Sequence, residues 1–211
     1  VYIGALQGGT NRFYSGGTTR LTTDEPVTLN LVNRVTRNLA ANHAKFVRMA
    51  ASSSGNYGTV SLQKTYLAFG NTDMQQDIEA IPSYKAVSDY GQMKVAHEME
   101  IGCVGSVRFI LSPEMPKIID SGAAIAGTSN LSTGGTSADI YQLFVIAKDA
   151  WGHTAFRGLS AFKYNHIKPG QIDKSDPTGE RGYCSTTFYD AGVVTNHGFM
   201  AVCEVTVSAL T

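Results

Sequence analysis

The chain has 211 residues, 43% of them hydrophobic, and its 17 basic side chains are balanced by 17 acidic ones. That length supports one domain, or two intimately joined ones, around a real core. The charge balance removes the electrostatic case for a dedicated nucleic-acid binder, and no run approaches the ~18 apolar residues of a membrane span. Cys103, Cys184 and Cys203 are odd in number and form no C-x-x-C pair. They read as reduced, mostly buried thiols and not as a disulfide framework, although a Cys184–Cys203 bridge is geometrically open.

Val1-Tyr2-Ile3-Gly4 lacks the basic and apolar regions of a signal peptide. A valine start predicts a processed product or the C-terminal portion of a longer one. Residues 1–22 hold two Gly-Gly pairs around Phe13 and Tyr14 and predict an extended hairpin or arm with no core of its own. The clearest element follows. Val27, Leu31, Val35 and Leu39 recur every four residues, with Val32 and Ala40 beside them and Arg34, Arg37 and Asn38 on the other side. This is the period of an amphipathic helix. Thr23 or Asp24 can cap it, Pro26 suits its first turn, and Lys45 and Arg48 suit its negative end. The expected helix spans about 24–46, on the order of 35 Å, a spine against which sheet and loop must lie.

Residues 66–69 read as a short buried strand, and Thr72-Asp73-Met74-Gln75 as the capping box of a short helix carrying Ile78 and Ile81. Residues 98–111 turn to sheet, with Gly102 and Gly105 breaking or bulging the run. Residues 120–139 are rich in Gly, Ser, Thr and Ala and predict a mobile surface loop. Residues 141–147 are a continuous apolar run, short enough for a strand buried on both faces. Residues 199–207 alternate with β-branched side chains and predict a closing strand. No fixed-period repeat occurs, which excludes solenoids and propellers.

Catalytic constellations are sparse. Ser61-Leu62-Gln63-Lys64 and Ser160-Ala161-Phe162-Lys163 match S-x-x-K, without the S-D-N or K-T-G partners of that chemistry. His97-Glu98 begins like a zinc motif, but Ile101 stands where the second histidine belongs. The other histidines are scattered singly, and Asp173 and Asp176 lie in a stretch that Pro177 and Gly179 mark as a turn. No catalytic, metal or cofactor residue is assigned. Arg108 and Arg181, with Asp176, are candidates for salt bridges within or between subunits.

Three stretches in fixed order carry a more specific signal. They are residues 101–115 (IGCVGSVRFILSPEM), residues 141–152 (YQLFVIAKDAWG), and Ile167-Lys168-Pro169-Gly170 leading to residues 176–183 (DPTGERGY). Behind the long helix, from about Leu21 onward, they resemble the major capsid proteins of the N-four-type podovirus family, a branch of the Hong Kong-97-type coat fold of tailed bacteriophages. One departure stands out: that family shows a Gly-Trp-Lys-like run after the Gly-Tyr pair, where this chain has Cys184-Ser185-Thr186-Thr187.

The resemblance implies an α+β fold of the Hong Kong-97 type. Its long spine helix packs on an antiparallel sheet, and peripheral and axial domains interleave within 23–211, the axial part at roughly 115–165. Residues 1–22 resemble the returning half of an extended hairpin loop. The implied function is a major capsid protein that self-assembles through pentamers and hexamers into the icosahedral shell around double-stranded DNA. The implied partners are copies of itself, portal and decoration proteins, and DNA held without sequence-specific binding. The implied location is the virion, assembled in the bacterial host cytoplasm. A neutral, site-poor chain fits this, since a shell needs many modest contacts made strong by multivalency. Two other readings are an encapsulin-like nanocompartment shell and a serine hydrolase using Ser61 and Lys64.

Overall fold

The buried strands of the chain assemble into one mixed sheet, seen in a computed structural model that describes residues 11–51, 59–91, 93–125, 130–153, 162–172, 176–188 and 193–209. Its strands are β1 (Arg12–Tyr14), β2 (Val47–Ala51), β3 (Thr59–Gly70), β4 (Tyr84–Ala86), β5 (Glu100–Val104), β6 (Val107–Leu111), β7 (Lys117–Ile118), β8 (Ile140–Ile146) and β13 (Met200–Val205). The spatial order is β1-β13-β8-β3-β6-β5-β4, with β2 on β3 and β7 on β8. Most neighbours are antiparallel, but β1–β13 and β3–β6 run parallel. The antiparallel sheet that the resemblance implies is thus a mixed one here. Strands β3 and β6 are joined through more than thirty residues, long enough for the crossover that parallel pairing needs. The β5–β6 hairpin turns at Gly105, whose φ of +58° suits glycine. The ladder slips register between Glu100 and Gly102, and a side chain at Gly102 would strike the Lys85 carbonyl and the Tyr84 ring.

Strands β6, β8 and β13 are buried along their whole length, which is why they read as near-continuous apolar runs. Their side chains divide cleanly by strand period. Val107, Phe109, Leu143, Val145 and Cys203 face one core cluster, and Phe144, Ile146, Met200 and Val202 face another. The first cluster lies under helix α1 (Leu29–Ala41), whose Leu31, Val32 and Val35 leave only a void of about 10 Å³ against the sheet. Burial there also pushes the Cys203 thiol up to about 12.

Helix α1 is thirteen residues long, about 20 Å, and not the 24–46 spine that periodicity predicts. Its stripe residues Leu31, Val35 and Leu39 are buried on the helix, whereas Val27 is buried in the extended segment before it. The start moves because the preceding carbonyls are already engaged. Those of Thr23 and Glu25 accept from the Ala123 and Thr206 amides, that of Asp24 from Asn130 Nδ2 at 2.8 Å, and that of Pro26 from Ser15 Oγ at 2.7 Å. Pro26 also disfavours helix at residue 25. Thr28 becomes the cap, its Oγ1 accepting from the Leu31 amide. At the other end, the His43 and Ala44 amides donate back to the Ala40 and Leu39 carbonyls. His43 takes the left-handed conformation, φ +57°, so the chain turns out of the helix there and Ala44 to Phe46 leave it.

The second helix, α2 (Gln75–Glu79), follows a 3-10 turn at Thr72–Met74 that is capped by Asn71 and not by Thr72. The described part of the glycine-rich segment at 120–139 is a loop with no named strand or helix, exposed at 120, 124 and 133–136, and it is anchored to the sheet. Asp139 is fully buried and accepts from the Asp120 amide and from the amide and hydroxyl of Thr133. The Leu131 amide donates to the Val207 carbonyl at 2.8 Å. A single buried carboxylate, satisfied by three donors, ties the segment to the sheet, as a buried charge must be tied. Residues 126–129 lie outside the described residues.

The chain divides into two units, Val1–Ala150 with Asn196–Thr211, and Trp151–Thr195. The second holds two antiparallel pairs, β10 (Phe162–Ile167) with β11 (Tyr183–Phe188) and β9 (Trp151–His153) with β12 (Val193–Thr195). Among the described residues no helix is long and apolar enough to cross a membrane.

Candidate functional site

The second face of the sheet carries two buried charge clusters. Glu204, on β13, has no exposed side-chain surface. Arg12 Nη1 donates to its Oε1 at 2.8 Å, and Arg20 grips both oxygens, Nε to Oε2 at 2.7 Å and Nη2 to Oε1 at 2.6 Å. Gln142 Nε2, from the neighbouring strand, adds a longer contact at 3.4 Å. Burial alone drives the carboxyl upward, but Arg20, Arg12 and Gln142 more than offset it and hold it below its usual range. Arg12 and Arg20 both belong to the 1–22 segment. The described part of that segment is thus pinned to the core by a bidentate ion pair and by the parallel β1–β13 pairing.

The other cluster sits at β5 and β6. Arg108 is 2% exposed, and its Nη1 donates to the Lys94 carbonyl at 2.6 Å and to Glu100 at 3.2 Å. Glu100 also accepts from the Tyr90 hydroxyl and the Ala96 amide, and the guanidinium lies 5.1 Å from the Tyr90 ring centre. Burial, then the bond to Glu100, raises the Tyr90 hydroxyl well above its ordinary value. Arg108 Nη2 is buried with no hydrogen-bond partner among the described residues. The fold buries Arg108 within the chain, paired with Glu100.

The remaining candidates separate. Arg181 is exposed, and its backbone amide, not its guanidinium, reaches Asp176, donating to Oδ2 at 2.7 Å. Asp176 also accepts from the Thr178 hydroxyl at 2.6 Å. The Thr178 hydroxyl first, then the Arg181 amide, hold its carboxyl below the usual range, so it organises its own turn. Ser61 and Lys64 lie on the extended strand β3, where positions three apart are separated by ~10 Å, and not on one helical turn. Ser160 lies outside the described residues. His97 is exposed, and its Nδ1 accepts from the Met99 amide in a turn. Among the described residues no group of three or more His, Cys, Asp or Glu could hold a metal ion. The cysteines are free, Cys184 exposed and the other two buried.

Glu204, Glu100 and Asp139 escaped the sequence reading. The signal available for the first two was a lone carboxylate within or beside an apolar strand, which cannot stay there unpaired.

No protein-family model matches the chain, and none of the curated proteins matches it. A chain in the solved structure titled "Capsid of Ralstonia phage GP4" is similar to it with a TM-score of 0.53 over 95% of this chain. The fold is capsid-like. Identity is 8%, and the chain spans about half, 53%, of the length of that solved chain, so the likeness is one of fold and not of sequence.

Proposed function

We propose that this chain is the coat subunit of a tailed bacteriophage, a major capsid protein that self-assembles into an icosahedral shell around double-stranded DNA. The observation that carries the reading is the capsid-like fold across 95% of the chain. The motif order supports its placement with the N-four-type podovirus coats and the Hong Kong-97 type, with the axial part proposed at roughly 115–165; the compact unit Trp151–Thr195 overlaps that range only in part. On this reading α1 is the spine, with Val27, Leu31, Val35 and Leu39 fastening it and its leading segment. The partners are further copies in pentamers and hexamers, then portal and decoration proteins, in a virion assembled in the host cytoplasm. The role is structural and involves no catalysis.

Electron microscopy of the purified protein tests this, with intact mass measured on the same sample. Uniform closed particles are expected. A homogeneous monomer or dimer that never assembles across salt and concentration overturns the reading.

A further inference from the structure

The chain leaves α1 through His43 into a short segment, buried at Ala44 and exposed at Lys45, that meets the segment after β8. Lys45 and Lys148 form an isolated antiparallel bridge, the Lys148 amide donating to the Lys45 carbonyl at 2.9 Å. Residues directly opposite in such a bridge share a face, with Cβ atoms ~5 Å apart, and like charges there are destabilising. Arg48 adds a third cation. The β2–β3 ladder shifts register across it, between Val47 and Met49, an irregularity of the kind that re-aims a side chain. These three cations line a cleft of about 420 Å³ together with Phe46 and Val47. Phe46 is held in place by stacking on Tyr66, ring centres 4.5 Å apart. All three cations are exposed, no carboxylate is among the described lining residues, and among the described residues none of the three makes an ion pair. Asp149, next along the chain, is exposed but does not line the cleft.

Three cations gathered on one cleft of a chain whose net charge is zero are not explained by the fold, which gains nothing from their repulsion. We propose that this cleft binds the phosphodiester backbone of nucleic acid, with Lys45, Arg48 and Lys148 on phosphates and Phe46 and Val47 against the sugar edge. Phosphate contacts of this kind position a polyanion without reading its sequence. The proposal rests on the coat reading for the identity of the polyanion, and it names the surface of the subunit that faces enclosed DNA.

The test uses a 20-base-pair duplex, titrated by fluorescence anisotropy against the full chain and its Lys45→Gln/Arg48→Gln/Lys148→Gln variant at several salt concentrations. Affinity is expected to fall at least tenfold at low salt. The slope of log affinity against log salt should shrink by about 2 to 3, the loss of three phosphate contacts. Thermal melting of the variant should match or exceed the wild type, since repulsion is relieved. Unchanged affinity and slope overturn the proposal, as does a lower melting temperature, which would assign the cations to the fold. Equal loss in an Arg37→Gln/Lys85→Gln/Lys94→Gln variant also overturns it, as does polyglutamate competing as well as DNA. Electron microscopy of both proteins keeps the two readings apart. Shells with cleft-independent DNA binding refute the cleft alone, and cleft-dependent binding without shells refutes the coat alone.

Discussion

At the scale of single residues, charge is spent on internal ties. Glu204 is the clearest, a carboxylate without exposed surface that joins two arginines of the N-terminal segment to the last strand. Because its folded value lies below the ordinary 4.5, its contribution is present above pH 4.5 and lost as pH falls through the lowered value. Glu204→Gln is expected to cost about 2 kcal/mol at pH 7, less than a fully buried pair because both arginines keep some solvent. The deficit should shrink as pH falls below 4.5 and through the lowered folded-state value. Urea denaturation of both proteins across that range checks it, and a pH-independent difference would sink the ion-pair account. Arg108 and Arg181 make a second contrast. Arg108→Glu places two carboxylates together in a dry site and should unfold the chain. Arg181→Glu, at an exposed position, should change stability by no more than about 0.5 kcal/mol; on the coat reading, with Arg181 at a contact between copies, it should also reduce assembly. Melting curves and particle counts on the same samples separate the two.

At the scale of elements, local pattern and tertiary competition meet in α1. The apolar stripe is correct in phase, but the helix takes only the residues whose backbone is not claimed elsewhere. Four consecutive carbonyls, from Thr23 to Pro26, are occupied by donors from the N-terminal segment, the 120–139 segment and the chain's end. Thr28 therefore caps the helix, and Asp24 does not. Thr28→Ala should cost about 1 kcal/mol, whereas Asp24→Ala, which removes no cap, should cost no more than about 0.5 kcal/mol. Thermal denaturation of the pair decides the boundary; the reverse order would restore the longer helix. The same competition accounts for the 120–139 segment, where Asp139 supplies the organisation that composition does not reveal.

At the scale of the whole molecule, the Trp151–Thr195 unit is inserted between two segments of the larger one. Its points of departure and return are joined directly, the Asn196 amide donating to the Ala150 carbonyl at 2.8 Å. Insertions with adjoining ends leave the host domain's closure intact. Replacing residues 152–194 by a short Gly-Ser linker is expected to leave the larger unit cooperatively folded, with sheet-type circular dichroism and a single melting transition. Loss of cooperativity would show that the larger unit is incomplete alone. On the coat reading the excised protein should fold yet fail to close shells.

Elements whose neighbours impose no choice are legible in the chain alone. The run at 141–147 must be a strand buried on both faces, 199–207 must alternate, and the Leu31–Val35–Leu39 stripe must be a helix face, because apolar periodicity is a property of adjacent residues. Motif order carried the capsid resemblance, and the structural likeness supports it at the level of fold. The three-dimensional fold sets where the helix begins, makes the sheet mixed, and gives Arg108 its internal partner Glu100. It alone joined Arg12 and Arg20 to Glu204 across more than 180 residues and set Lys45 opposite Lys148. Each of these depends on which donor or charge arrives from a distant segment, and such arrivals leave no periodic trace in the chain.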